Sequence, residues 1–250
     1  MFEVGRNISL SLGLISIPTI YTSVKWWGHR FLEKTITDLR KYEATRDLGI
    51  ALKGNLAHNK FFYFAMLRNN SGSKPEIDRF KSLYGVLGYN HSKSLVFTLS
   101  YTYHFFNKAL VLYDSILPMN WLNKDKSLWT FFIRYQKDNK FSIGTELFYF
   151  IQKHDLNTGS HFENYSSYGA TFYFTYHLHK KLSFTGRVDY FEPNNHTLST
   201  HDFRILGLMA YNVQINNSIV ISPNILSEFY EKMLDGTKIK PAITPRITFY

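Results

Sequence analysis

The feature that most constrains the fold of this chain is a two-residue alternation of apolar and polar side chains, which recurs over most of its length. Successive side chains of a β-strand point to opposite faces, so this period predicts strands with one apolar face. In residues 95–103, for example, Phe97 and Leu99 alternate with threonine and serine. We predict about twelve strands, the first of which carries the alternation of residues 8–14. The other predicted ranges are 46–56, 60–68, 80–89, 95–103, 128–135, 141–151, 167–178, 182–191, 203–212, 218–225 and 239–250.

Two properties of these strands favour a membrane barrel over a soluble β-sandwich. Several run about ten residues, which is longer than the usual strand of about five or six and is the length that a tilted strand needs to cross a hydrocarbon layer. Many apolar faces also end in Tyr or Trp, as in the aromatic girdles of membrane barrels. The residues concerned are Tyr101, Tyr103, Trp129, Tyr135, Tyr168, Tyr176 and Tyr190. Residues 60–68 are so aromatic that their two faces cannot be assigned from the pattern.

The predicted connections alternate in length, which favours an up-and-down barrel. The short ones are rich in Asn, Asp, Lys and Ser, as tight turns are; they are 57–59, 90–94, 136–140, 179–181 and 213–217. The long ones are 18–45, 69–79, 104–127, 152–166, 192–202 and 226–238. Membrane barrels have short turns at one end and longer loops at the other. We therefore predict an all-β fold, an antiparallel up-and-down transmembrane β-barrel that forms a single domain over residues 1–250.

Composition excludes several other classes. The chain has 22 Phe, 18 Tyr and 4 Trp, and a disordered chain would be poor in such residues. It has no cysteine, so disulfide scaffolds and thiolate metal sites are excluded. The least charged stretch, residues 7–24, is interrupted by Ser, Thr and Pro, which argues against a spanning helix. Its first half alternates as a strand does, which favours a strand over a secretory signal. No motif predicts a cofactor or a metal.

The face opposite the aromatic residues is polar and basic, and in a barrel it would line the lumen. By the parity of the strands, its acidic members are Glu146 and Asp189, and its basic members are Lys53, Arg134, His177, Arg187, Lys240 and Arg246. Basic residues around a pore favour anions. The alternative is that these charges pair with each other across strands and stiffen the wall. The excess of basic residues favours the first interpretation.

The first long loop, residues 18–45, is too long and too aromatic for an ordinary solvated loop. Residues 25–46 contain six lysines and arginines and three acidic residues. We expect this loop to fold into the pore mouth and to narrow it with positive charge. Its candidate constriction residues are His29, Arg30, Lys34 and Arg40. The alternative is that Trp26 and Trp27 anchor the loop to the rim or to the membrane interface, with its charges in solvent.

Residues 4–72 resemble the phosphate-selective-type porins and related outer-membrane porins. The resemblance rests on four stretches, which are Val4-Gly5-Arg6, Ile17-Pro18-Thr19, the run from Trp27 to Thr35, and the run from Arg46 to Gly54. The hairpin that ends at Gly72 is similar to the corresponding loop of that family, with Asn70 in place of the usual glycine. Beyond residue 72 the match is a looser, barrel-like one.

The resemblance implies a water-filled pore in the outer membrane of a Gram-negative bacterium, surrounded by outer-membrane lipid. Such pores pass small, often anionic, solutes and are commonly homotrimers. Members are usually longer, with a signal peptide and further strands before the position of Val4, so we expect this chain to be an N-terminally truncated member. The loop lysines credited with phosphate binding have no counterpart here, and phosphate specificity is not carried over.

The predicted function is a porin for passive diffusion of small, preferentially anionic solutes. One alternative is a structural or adhesive outer-membrane barrel with a plugged lumen. Another is a barrel enzyme such as a phospholipase, which needs Ser and His within hydrogen-bond reach at the outer rim. The sequence indicates no such pair, so we predict no enzymatic activity. The formal charge of +10 together with many aromatics also suggests nucleic-acid binding. However, the aromatic residues lie opposite the basic ones on each strand, which argues against it.

Overall fold

The computed structural model describes residues 2–5, 7–75, 81–105, 109–111, 120–122, 124–138, 140–157, 162–193, 203–230 and 241–250. Its regular elements are two helices and fifteen strands. The helices are α1 (Pro18–Trp27) and α2 (Ile36–Leu39). The strands are β1 (Phe2–Gly5), β2 (Ile8–Ser16), β3 (Arg46–Leu56), β4 (Phe61–Arg68), β5 (Lys81–Asn90), β6 (Leu95–Phe105), β7 (Ala109–Val111), β8 (Asn120–Leu122), β9 (Lys126–Lys137), β10 (Phe141–Asn157), β11 (Phe162–His179), β12 (Leu182–Glu192), β13 (Arg204–Gln214), β14 (Val220–Tyr230) and β15 (Ala242–Phe249).

Thirteen strands form one antiparallel sheet in which the strands follow one another in chain order. Strands β7 and β8 form a separate small hairpin inside the loop that follows β6. Twelve of the thirteen strands are at least eight residues long, and they correspond to the twelve strands predicted from the alternation. Strands β1 and β15 are the edges of the sheet, and no ladder joins them within the described residues. The up-and-down antiparallel architecture of a transmembrane-type barrel wall is therefore confirmed.

The two faces of the wall differ as the alternation predicts. The outward face carries large apolar side chains that remain open to the surroundings, such as Leu99 at 47%, Phe172 at 51% and Val188 at 52% exposure. The inward face buries the small polar residues that alternate with them, including Thr98, Ser100 and Thr171. Soluble monomers rarely expose so continuous an apolar surface. An outward apolar band and a polar interior are the arrangement of a barrel in a bilayer.

The structure assigns the two faces of β4, the aromatic segment whose faces the sequence pattern left open. Phe64, Met66 and Arg68 are buried on the inward face, whereas Phe61 and Leu67 are exposed on the outward face. The inward aromatic residues pack on the segment that enters the lumen, described below. The sequence pattern could not show this because both faces of the strand are apolar.

Two predicted loops differ in the structure. The predicted long loop 152–166 is wrong, because β10 continues to Asn157 and β11 begins at Phe162 with the ladder still paired at Leu156 and Glu163. The pairing continues past the apolar band because backbone hydrogen bonds do not require apolar side chains. The predicted loop 18–45 contains the two helices. Helix α1 begins with Pro18 in its first turn and ends at Gly28, whose φ of 73° is the left-handed conformation that glycine adopts readily.

Candidate functional site

Residues 17–45, which we call the insert, enter the lumen as a hairpin. The insert begins and ends at the long-loop end of the barrel, where the backbone N–H of Ile17 donates to the carbonyl of Thr45 at 3.2 Å. At the short-turn end, the Phe31 ring stacks on the ring of Tyr250 with 5.1 Å between centroids. The returning arm reaches the long-loop end again at Tyr42, whose hydroxyl accepts a hydrogen bond from Ser167 at 2.6 Å. The insert therefore spans much of the lumen along its axis.

The insert packs against inward residues on both sides of the curved sheet. Helix α1 contributes Ile20 to a cluster with residues of β3, β4 and β5. Trp26 and Trp27 pack against residues of β9, β11 and β13. Ile36 on the returning arm packs against residues of β9, β10 and β12. The wall residues in these three clusters are Ala51, Phe64, Met66, Tyr84, Val86, Leu128, Phe132, Phe148, Phe150, Tyr173, Phe191, Leu206, Leu208 and Ala210. Burial of this apolar surface stabilises the insert by about 25 cal/mol for each Å² removed from water.

Arg187 on β12 is the strongest polar anchor of the insert. Its guanidinium is 2% exposed and donates to both carboxylate oxygens of Asp189, at 2.7 and 2.6 Å. It also donates to the carbonyl of Lys34 in the insert at 2.5 Å and lies 5.0 Å from the ring centroid of Trp27. Beside it, Thr37 of the insert donates to the buried carboxylate of Glu146 at 3.2 Å. Arg187 thus holds the insert rather than standing free in the pore.

Two further arginines tie the returning arm to the last strands of the sheet. Arg246 on β15 donates to the carbonyl of Leu32 at 3.0 Å and to the carboxylate of Glu33 at 3.3 Å. Arg40 forms an ion pair with Glu228 on β14 at 2.8 Å. Arg187 and Arg246 are therefore both paired, Arg187 with a carboxylate of its own strand and Arg246 with one of the insert, whereas the alternative interpretation has such charges pair across strands.

The remaining predicted constriction residues differ in their surroundings. Arg30 forms an ion pair with Asp38 at 2.7 Å and stays largely exposed, as does Lys34, whose ammonium lies 3.8 Å from the same carboxylate. The ring nitrogen Nε2 of His29 lies 2.9 Å from the Thr175 hydroxyl. Burial, with smaller contributions from His177 and Arg134, lowers the pKa of His29 to about 4. The imidazole is therefore neutral at pH 7 and contributes no charge to the lumen.

A second buried ionic group stands where the insert rejoins the wall. Arg68 on β4 contacts the carboxylates of Asp47 at 2.9 Å and Glu43 at 3.6 Å, and all three side chains are almost fully buried. Tyr84 donates a hydrogen bond to Glu43. Burial raises the pKa of Glu43 to about 6, against the opposing effect of the Arg68 charge. These contacts fix the end of the insert against β4 and β5.

Two clefts lie along the side of helix α1 that does not pack on the wall. The outer cleft, of about 530 Å³, opens near the long-loop end and is lined among others by Ser16, Tyr21, Lys25, Arg30, Arg46 and Ser73. The inner cleft, of about 490 Å³, lies toward the short-turn end and is lined among others by Tyr21, Lys25, Trp26, Lys53, Phe62 and Asn90. Because Tyr21 and Lys25 belong to both, the two clefts adjoin, and we call them together the route.

This route is positively charged. Lys25, Arg30, Arg46 and Lys53 line it, and no Asp or Glu is found among the described lining residues of either cleft. Of the four, Arg30 is paired with Asp38, which lines neither cleft. Neither Lys25 nor Lys53 makes an ion pair with any part of the chain that the structure describes. A narrow passage with a low-dielectric wall concentrates the field of such charges. The arrangement can therefore attract small anions.

The route contains only part of the residue set predicted from the sequence. Lys53 and Arg30 line it, whereas Arg134, His177, Arg187, Arg246, His29, Lys34 and Arg40 line neither cleft. Lys240 lies outside the described residues. Lys25 and Arg46 also line the route, and neither was predicted from the sequence. Tyr21 and Lys25 are four residues apart, which places them on one face of a helix. This spacing could have indicated Lys25 as a route residue.

The prediction that no Ser and His come within hydrogen-bond reach is wrong. The register of β5 and β6 places Ser82 opposite His104 near the long-loop end, with the hydroxyl 2.7 Å from Nδ1. The same Nδ1 lies 2.8 Å from the Asn70 side-chain oxygen, so both partners share one ring nitrogen. A nucleophile and base pair needs a hydroxyl that a substrate can reach. Ser82 is fully buried, so the pair has the geometry of a structural contact.

In the described ranges, no group of three or more His, Asp or Glu side chains could hold a metal ion. Within those ranges no helix combines the length and the hydropathy that a membrane span needs.

Comparison with known proteins bears on the fold. No family model matches the sequence, and no curated protein matches it. The structure is similar to that of an anion-selective porin from Comamonas acidovorans, with a TM-score of 0.64. The match covers 95% of this chain and 68% of that porin, at 9% sequence identity. It supports a porin-like fold without singling out the phosphate-selective type. The chain therefore has the antiparallel barrel fold of a porin.

Proposed function

We propose that this protein is an outer-membrane porin that lets small anions diffuse through a passage narrowed by the insert. The observation that carries the proposal is the pair of adjoining clefts, which are lined by four cationic side chains and by no carboxylate among the described residues. Rings of Arg and Lys attract anions and repel cations in a pore. The anion-selective porin with the same fold supports it. The function proposed is passive and needs no catalytic group.

A second candidate function is a plugged structural barrel, and the packing of the insert is the observation that favours it. Three apolar clusters and the Arg187 anchor pack the insert against the wall within the described residues. A plugged barrel and a narrow porin have the same wall. They differ in whether ions cross.

Planar bilayers distinguish the two functions. We expect the purified protein to produce stepwise conductance, and in a potassium chloride gradient we expect the reversal potential to lie on the side of the chloride equilibrium potential. A tenfold gradient sets that equilibrium potential at about 59 mV in magnitude, so the measured reversal potential shows clearly which ion is preferred. Membranes without steps would support the plugged barrel. Steps that reverse toward the potassium potential would contradict the anion passage.

A further inference from the structure

The inner cleft has features that a passage for inorganic anions does not require. It is lined by Lys25 and Lys53, neither of which makes an ion pair within the described chain, and by five aromatic residues, Tyr21, Trp26, Phe62, Tyr63 and Phe64. A hydrated inorganic anion gains nothing from an aromatic wall. An organic anion with an apolar body gains burial of that body as well as the charge interaction.

The two lysines come from different elements that line the cleft. Lys25 stands on α1 and Lys53 stands on the inward face of β3. The inner cleft has no acidic residue among its described lining residues. An ammonium group that makes no ion pair within the described residues can bind a carboxylate with charge-assisted hydrogen bonds, which are about twice as strong as neutral ones.

The rings are arranged so that one of them stays available to a solute. Trp26 meets Phe62 edge to face at 5.9 Å between centroids, and Tyr21 meets Phe64 edge to face at 6.2 Å. Trp26 and Phe64 are buried, but Tyr21 is 46% exposed. It lies one helical turn before Lys25, so the ring and the ammonium group face the same cleft. A planar ring that stacks on Tyr21 would place its carboxylate near Lys25.

We propose that the inner cleft retains carboxylates carried on a planar ring, the chemical class of aromatic acids, during their passage. The volume of about 490 Å³ falls in the range of about 300 to 1,000 Å³ that small-molecule sites occupy. The inference rests on the proposed function only in assuming that the solute passes through the protein. Binding of the solute in the cleft can be measured without transport. It adds a solute class to a route that otherwise selects by charge alone.

The test compares three carboxylates as blockers of the chloride current in planar bilayers: benzoate, acetate and gluconate. All three carry one charge, but only benzoate has a ring. We expect benzoate to block at a concentration at least tenfold lower than either of the others. Equal potency of the three would overturn the proposal, while the chloride selectivity measured in the same membranes would still decide the proposed function separately.

The Tyr21→Ala variant tests the role of the exposed ring. An aromatic pair contributes about 0.5 to 1.5 kcal/mol, so we expect the half-blocking concentration of benzoate to rise about threefold to tenfold. The Tyr149→Ala variant, which removes an exposed ring from the outward face, is the matched control and should leave it unchanged. If both variants behave like the wild type, the ring does not bind the solute.

A binding measurement keeps the inference testable in a protein that does not conduct. Trp26 lines the inner cleft, so benzoate should quench tryptophan fluorescence of the detergent-solubilised protein in a saturable way. The quenching should weaken in Tyr21→Ala and in Lys25→Gln with Lys53→Gln. A linear response that is the same in all three proteins would overturn the proposal.

Discussion

Replacing Lys25 and Lys53 together by glutamate is expected to turn the anion preference of the channel into a cation preference. Both side chains line the inner cleft, and no described carboxylate there offsets them. A unit charge contributes about 1 kcal/mol to an ion at about 4 Å even in water, and more where the wall excludes water. Reversing two such charges should change the chloride-to-potassium permeability ratio by a factor on the order of ten or more. Reversal potentials in a salt gradient measure this ratio.

The control for this variant changes the same total charge elsewhere. Lys93 and Lys180 are exposed in tight turns outside both clefts, and Lys93→Glu with Lys180→Glu should leave the reversal potential near that of the wild type. The neutral variant Lys25→Gln with Lys53→Gln should give an intermediate ratio. If the turn variant moved the ratio as far as the cleft variant, selectivity would depend on overall charge and not on the route.

Replacing Arg187 by methionine is expected to destabilise the barrel by about 3 to 5 kcal/mol and to release the insert. The change leaves Asp189 fully buried without its bidentate partner and removes the hydrogen bond to the insert at Lys34. Removing one partner of a buried ion pair costs about that much free energy. The unfolding midpoint in denaturant should fall, and protease cleavage within residues 17–45 should become faster.

The double variant Arg187→Met with Asp189→Leu separates stability from anchoring. Replacing both members of a buried pair by apolar residues is often neutral, so most of the lost free energy of unfolding should return. The insert would still lack its hydrogen bond from position 187, and its cleavage should remain faster than in the wild type. A single variant as stable as the wild type would contradict the role given to Arg187.

The strands of the wall were predictable because the residues that determine each strand are close together in the sequence. The alternation in β6 or β11 states both that a strand forms and which face is apolar, and turn residues mark where it ends. The ends of β10 and β11 were not predictable, since their ladder continues into polar sequence where no face is distinguished. Which face of β4 points inward could not be predicted from the sequence, because both faces are apolar and the inward one packs on the insert.

The candidate site was only partly predictable, because many of its contacts join the insert to strands that are distant from it in the sequence. Arg187 and Asp189 stand two residues apart on one strand face, so their pairing was within reach of the sequence. The contact of Ser82 with His104 depends on the register between two strands, and that of Arg246 with Glu33 on the depth to which the insert enters. Parity identified Lys53 as a lumen residue. It could not show that Lys25 faces the same cleft, since that depends on α1 being a helix.

Cysteine accessibility tests most directly whether the route beside α1 carries water while the outward face meets lipid. The chain has no cysteine, so a single Lys25→Cys or Leu99→Cys substitution gives a unique thiol. A charged, membrane-impermeant thiol reagent should modify Lys25→Cys in reconstituted channels and reduce the current in one step for each pore. It should not modify Leu99→Cys on the outward face. A reactive thiol at position 99 together with an unreactive one at position 25 would contradict the account.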